Sequence, residues 1–369
     1  MNFKRIIEQM VEEDVYSVFL IAGSRPFYRK NGEPLYLDIP KVIPSFTEEI
    51  IEHLLHQKID IVFKDVCEVN FSKGVPGKGR FRINAYMQRG TVALSIRRIK
   101  TDIPSINDLN LPDVIVSHIM ESKGLILCTG NGSSGKSTTL ASLVNHRNIS
   151  LNGYILTIED PIEYIFNHQK SVVAQREIGI DVRCMDEALS AAQLQTPDLT
   201  VVGEIRDIDT MVSAINFAGT GQLCISTLRT ASVSQTIARI LDLADRSQRD
   251  SLQKAFASSL LCIISQKLVT DIHGNEIAIY ETLNATAPVR EAIQSGNIAK
   301  IQEIMKRDEF KTGSQSFDGA LIKASMDGII TKEVMIQNAT NPEFIKKEIN
   351  RHEFFGKLPK ETESESVNT

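Results

Sequence analysis

The segment from Gly124 to Ser137 constrains this 369-residue chain more than any other stretch. An apolar run, Gly124-Leu125-Ile126-Leu127-Cys128, leads into Gly130-Asn131-Gly132-Ser133-Ser134-Gly135-Lys136-Ser137, and helical spacing starts at Lys136. Strand, glycine-rich loop and helix in that order fit a phosphate cradle. The glycines let backbone N–H groups turn inward onto phosphate oxygens, and the helix start adds its dipole. Lys136 brings charge to the β/γ-phosphates and Ser137 a hydroxyl for Mg²⁺, with Thr138 closing the set. A chance Gly/Ser-rich turn is the competing reading, and the flanking strand and helix speak against it. ATP and Mg²⁺ are the expected ligands.

Downstream the apolar runs Tyr154–Ile158, Leu199–Val202 and Leu223–Ser226 alternate with helical stretches at 186–195 and 207–218. That alternation predicts an α/β core, a mainly parallel sheet covered on both faces. Upstream, residues 2–13 have helical spacing and Val18–Ala22 reads as a strand. Lys30-Asn31-Gly32-Glu33 reads as a hairpin turn between Phe27-Tyr28 and Leu35-Tyr36. A helix over 47–57 with Thr47 as N-cap, and strands over Gly79–Tyr86 and Thr91–Ile99, complete a small α+β domain. The expected division is a domain over 1–100, a linker over 101–112, the core over 113–284, a helical region over 285–356 and a disordered tail over 357–369. The helical region is read from Val289–Ile293, Ile298–Met305, Phe317–Met326, Lys332–Asn338 and Pro342–Ile349.

The net charge of −5, without an aromatic-basic stripe, argues against a nucleic-acid motor. Five scattered cysteines with no CxxC pair point to reduced thiols, and seven scattered histidines show no metal-ligand spacing. His53 and His56 read as surface residues. No secretory leader is expected at the start, and no apolar run is long enough to span a bilayer.

Glu204 follows the run Leu199-Thr200-Val201-Val202-Gly203, where a carboxylate beside a phosphate loop can hold Mg²⁺ or orient water. With Arg206 and Asp207 beside it, a surface charge cluster is the alternative. Thr157-Ile158-Glu159-Asp160-Pro161-Ile162-Glu163 carries three acids past another strand, candidates for a general base or an ordinary acidic loop. Cations for the transferring phosphate are available in Arg80, Arg82, Arg89, Arg97 and Arg98, all in the first domain, where they can equally be solvated edge-strand charges.

Together these motifs, with Gln175-Arg176-Glu177-Ile178-Gly179 and Pro197-Asp198 through Gly203-Glu204-Ile205-Arg206-Asp207, resemble the secretion-superfamily hexameric ATPases. Within them the chain is similar to the type IV pilus retraction ATPases, the PilT/PilU family, over residues 1 to about 349. Met1-Asn2-Phe3, Gly79-Arg80-Phe81-Arg82 and Phe317-Asp318-Gly319-Ala320-Leu321 look more like the PilU branch. The resemblance implies a PAS-like first domain, a RecA-like core and a homo-hexameric ring that drives pilus disassembly and twitching motility. It also implies a cytoplasmic subunit, peripheral at the inner membrane, working with a PilT-like ATPase and a pilus platform protein. Carried over by residue, Glu204 is the Walker B acid and shares Mg²⁺ with Ser137. Glu163 is the acidic-box base, and Arg82 and Arg97 reach the γ-phosphate.

Four positions depart from the family pattern. Gln222 and Arg229 stand where the histidine box has histidines. Leu194 replaces an arginine before Walker B, and Ser17-Val18 replaces Ser-Asp. Gln cannot titrate near neutrality and Arg carries a fixed charge. A hydrolysis-impaired, nucleotide-binding structural subunit acting through a PilT-like partner is therefore the alternative expectation.

Overall fold

The computed structural model describes residues 3–30, 33–54, 63, 66–245, 247–308 and 311–354. The chain divides into two compact units: Met1–Asp102 with Glu163–Ile165, and Ile103–Ile162 with Phe166–Thr369. The expected tail over 357–369 and the Asn31-Gly32 turn lie outside the described residues.

The first unit is built on a six-stranded antiparallel sheet of order β3-β2-β1-β6-β5-β4. Its strands are β1 (Ser17–Leu20), β2 (Phe27–Lys30), β3 (Glu33–Tyr36), β4 (Glu68–Val75), β5 (Gly79–Gln88) and β6 (Thr91–Arg98). Strand β2 pairs β3 through Phe27↔Tyr36, as a hairpin demands. Helix α1 (Phe3–Glu12) buries Ile6, Ile7 and Met10 on one stripe. Helix α2 spans Pro44–Leu54, beginning earlier than the Thr47 start expected from sequence. Thr47 is not its N-cap. Its side chain is buried inside the first turn, where the hydroxyl donates to the Pro44 carbonyl at 2.9 Å. Alternation along β5 sends Phe81, Ile83 and Ala85 into the core and Arg80, Arg82 and Asn84 to the other face. Strand β4 was invisible in sequence because only Phe71 of its eight residues is fully buried.

The second unit carries a seven-stranded sheet of order β13-β12-β7-β11-β10-β8-β9. The strands are β7 (Gly124–Thr129), β8 (Gly153–Glu159), β9 (Ser171–Glu177), β10 (Leu199–Val202), β11 (Leu223–Leu228), β12 (Leu260–Thr270) and β13 (Glu276–Asn284). All neighbours are parallel except the β12–β13 hairpin. Strands β7, β10 and β11 are buried at every residue, as central parallel strands covered on both faces must be.

Helices α3 (Asp113–His118), α4 (Lys136–Ser150), α5 (Met185–Gln195), α6 (Ile208–Gly219), α7 (Val233–Leu243) and α8 (Arg249–Ser259) complete the α/β unit. Helices α9 (Ala287–Gln294) and α10 (Ile298–Arg307) join its main core through Val289, Ile293, Ile301 and Ile304. The last three, α11 (Phe317–Met326), α12 (Lys332–Asn338) and α13 (Pro342–Phe354), form a second cluster on Val269 and Ile279 of the hairpin. Asn297, Ser316 and Thr331 cap α10, α11 and α12 by accepting from the backbone N–H three residues on.

Candidate functional site

Strand β7 delivers the glycine-rich loop at its C-terminal end. Gly130 has φ +153° and Gly135 φ +85°, both in the region L residues avoid. A Cβ on Gly130 would strike the Ser134 hydroxyl and lie 2.6 Å from the Gln266 carbonyl. Gly135 is the N-cap of α4 and, lacking a side chain, offers the helix's first N–H groups no side-chain cap of its own. The Lys136 ammonium donates to the carbonyls of Gly130 at 2.8 Å and Asn131 at 2.7 Å, so it lies across the loop. Asn131, Gly132 and Ser133 are exposed, and Ser137 and Thr138 are half-buried. A helix start, an ammonium and two hydroxyls around a loop that needs glycine at 130 and 135 match a polyphosphate with a divalent ion.

Gln266 on β12 braces this loop from below: its side-chain amide donates to the Ser134 carbonyl. Thr129 and Ser265 share a buried hydrogen bond of 2.6 Å. Thr236 bonds Thr129 at 3.2 Å and Thr230 at 2.7 Å. This hydroxyl chain ties the root of the loop to the start of α7. None of these partners was legible beforehand, because they come from strands and helices a hundred residues downstream.

The parallel register Leu228↔Thr129, Ser226↔Val202 and Val202↔Ile158 lines up the C-terminal ends of β7, β11, β10 and β8 on one sheet edge. Glu204 sits just past β10 on that edge, with its side chain 17% exposed. Two arginines hold it. Arg206 Nε donates to Oε2 at 3.0 Å, and Arg229 Nε lies 2.5 Å from Oε1. Arg206 also donates to Asp160 at 3.1 Å. Its pKa is raised, chiefly by the hydrogen bond to Glu204. Glu159 is engaged elsewhere, accepting from Thr157 at 2.6 Å and Gln175 at 3.3 Å.

Glu163 belongs to the first unit, not to the unit carrying the loop. It is exposed, on the short segment where Tyr164 bridges Lys100 and the Ile165 N–H donates to the Lys100 carbonyl at 3.0 Å. In the same unit Arg82 and Arg97 face each other across β5 and β6. Arg97 and Lys100 both lie over the Tyr16 ring, and Lys100 also over Tyr164. Neither Arg82 nor Arg97 has an ion pair among the described residues. Directly opposed like charges cost a sheet up to about 1 kcal/mol, and the Tyr16 ring under Arg97 offsets part of that.

A cavity of about 700 Å³ opens beside the start of α4. Leu109 and Pro112 of the supposed linker line it, with Thr138, Leu268, Tyr280 and Gln315. The Tyr280 hydroxyl donates to the Leu109 carbonyl at 3.0 Å, which fixes this wall, and burial pushes its pKa up. The segment read as a linker is thus one side of a cavity adjoining the phosphate loop.

The sequence model for the type II/IV secretion system protein family matches residues 94–309. The chain belongs to that family. It is 33% identical over 340 residues to the type IV pilus ATPase PilU of Pseudomonas aeruginosa, covering 92% of this chain and 89% of that one. To the pilus retraction ATPase PilT of the same organism it is 31% identical, covering 93% and 99%. Among solved structures, the pilus retraction motor PilT with bound ADP superposes with a TM-score of 0.87 at 34% identity, over 94% of this chain and 99% of that one. The mainly parallel α/β core and the resemblance to pilus ATPases are therefore borne out. No helix among the described residues is long and apolar enough to cross a membrane.

For this secretion-family chain, the departures from the motif pattern fall in different places. Gln222 precedes β11, its backbone carbonyl accepting from the Gly124 N–H at 3.1 Å, and its side-chain oxygen is buried with no hydrogen-bond partner among the described residues. Arg229 follows the same strand. The two are therefore roughly 20 Å apart, at opposite ends of the sheet. Only Arg229 reaches Glu204. Leu194 is 87% exposed near the end of α5, ahead of β10, also away from the loop edge.

Proposed function

We propose that this chain is a subunit of an ATP-hydrolysing motor for type IV pilus retraction, a PilU-like accessory ATPase assembled as a homo-hexamer. The observation that carries the reading is the sharing of one sheet edge by the Gly130–Thr138 loop and Glu204 in a chain aligned with PilT and PilU over nine-tenths of its length. The loop N–H groups and Lys136 bind the β/γ-phosphates. Ser137 and Glu204 are the residues that would hold Mg²⁺, which supplies charge neutralisation on the phosphates. Glu163 takes a proton from the attacking water as the bond from the γ-phosphorus to its bridging oxygen breaks. Arg82 and Arg97 balance the charge on the transferred group. The cavity past α4 receives the nucleoside. In the cell the subunit would work at the cytoplasmic side of the inner membrane with a PilT-like ATPase and the platform protein.

Steady-state ATPase assays of the full chain and Lys136→Ala test this. Turnover should fall by at least ten-fold in the variant, and equal turnover in both overturns it. A second reading, a hydrolysis-impaired subunit working through a PilT-like partner, is favoured by the Arg229–Glu204 ion pair. Under it, turnover stays at background until a PilT-like ATPase is added.

A further inference from the structure

Both oxygens of the Glu204 carboxylate are engaged. Oε1 receives Arg229 Nε, while Oε2 receives Arg206 Nε at 3.0 Å and a terminal nitrogen of Arg229 at 3.4 Å. Arg206 reaches on to Asp160, so two carboxylates and two guanidinium groups form a neutral cluster on the loop edge. A carboxylate has about four lone-pair directions, and the two guanidinium forks take most of those within the carboxylate plane. A divalent ion drawn to Glu204 would meet two fixed positive charges as well as the carboxylate. One arginine has to move aside first.

The two arginines are not equivalent. Arg206 is shared between Glu204 and Asp160, and its neighbour Asp207 caps α6 by accepting from the Thr210 N–H. Arg229 is 69% exposed, and Glu204 is its one ion-pair partner among the described residues. Its backbone is nevertheless held, because Thr230 next to it belongs to the buried hydroxyl chain through Thr236 to Thr129 at the root of the phosphate loop. The side chain can swing while its base stays fixed. An exposed pair of this kind is weak enough to open thermally and strong enough to bias the carboxylate.

We infer that Arg229 is a positioning residue that competes with Mg²⁺ for Glu204, raising the Mg²⁺ concentration at which the chain binds nucleotide in its metal-loaded form. The inference rests on the nucleotide-site reading above and deepens it. It is local to Glu204 and involves no titration, since an arginine keeps its charge throughout the working pH range.

The test is equilibrium binding of a fluorescent ADP analogue to the full chain, followed through a MgCl₂ titration from an EDTA-treated start. Arg229→Gln should lower the Mg²⁺ half-saturation about three- to five-fold, the range an exposed pair can supply. Arg229→Lys keeps the charge but not the two-nitrogen grip, and should fall between. In a Glu204→Gln background the Arg229→Gln shift should vanish, and in the parent it should shrink at high salt. Coincident titrations for the parent and Arg229→Gln overturn the inference, as does a shift that persists without the Glu204 carboxylate. A parent chain that binds no nucleotide with or without Mg²⁺ overturns both this inference and the nucleotide-site reading, whereas binding without an Arg229 effect overturns this one alone.

Discussion

Lys136, Ser137 and Glu204 were readable from sequence because each stands at a fixed offset from a strand end, and the sheet converts that offset into position. Gln266 and Glu281 carry no such signal. They lie on the β12–β13 hairpin and reach their partners only through the fold. The Glu281 carboxylate is largely buried against the start of α7, in a residue of intermediate exposure, and accepts from the Val233 N–H at 2.7 Å. Burial raises its pKa to about 7, against smaller lowering effects of that hydrogen bond and of Lys267, while Asp318 pushes it further up. A carboxyl raised above its unfolded value near 4.5 binds more protons folded than unfolded, so stability falls as pH rises from about 4.5 to 7. Above that window the charged form costs up to about 3 kcal/mol. Glu281→Gln keeps an acceptor for Val233 and removes the charge. Its melting temperature should exceed the parent's at pH 8 by several degrees and match it at pH 5. An equal gap at both pH values would rule out titration of Glu281 as the cause.

At the scale of elements, the strands of the second unit found by sequence were the central ones, β7, β8, β10 and β11, whose residues are nearly all buried. Strand β9 escaped because Gln175, Arg176 and Glu177 end it with polar side chains, although Glu177 is buried. The hairpin of β12 and β13 escaped because only the first part of β12, Leu260–Ile264, reads as a continuous apolar run, while buried Ser265 and Gln266 continue it. Those two residues are the ones that serve the loop. Hence the junction of β7, loop and α4 depends on β12 as well as on its own glycines. Gly130→Ala should expose this dependence. The added Cβ meets the Ser134 hydroxyl and the Gln266 backbone, at a φ that L residues rarely adopt. Strain of this kind costs roughly 1–3 kcal/mol. The variant should melt several degrees lower and lose nucleotide binding by at least ten-fold, as read by thermal unfolding and by ADP-analogue titration. A variant with native affinity would mean that the loop can relax away from β12.

For the whole molecule, the residues assigned to one reaction are divided between two units. Lys136, Ser137 and Glu204 belong to the second, and Arg82, Arg97 and Glu163 to the first. Strand patterning could show that the first unit carries arginines, but not that Arg82 and Arg97 face each other, because register emerges only from pairing. Opposed guanidinium groups, with no carboxylate partner among the described residues, penalise the sheet by a fraction of a kcal/mol to about 1 kcal/mol. Both strands are interior to the sheet, and solvated strand charges there could be substituted at no functional loss, whereas a phosphate-facing role makes the penalty the price of catalysis. The two readings give opposite signatures. If the arginines serve the transferred phosphate, Arg82→Gln and Arg97→Gln should each raise the melting temperature slightly and cut ATPase turnover at least ten-fold. ADP-analogue affinity, which reports on the other unit's loop, should stay within two-fold. Unchanged turnover in both variants would return the pair to the status of strand charges. It would also leave the second unit as a nucleotide binder whose cations must come from elsewhere. Where the parent turns over only with a PilT-like partner present, the same comparison made in the mixed assembly separates a subunit that supplies arginines from one that only holds nucleotide.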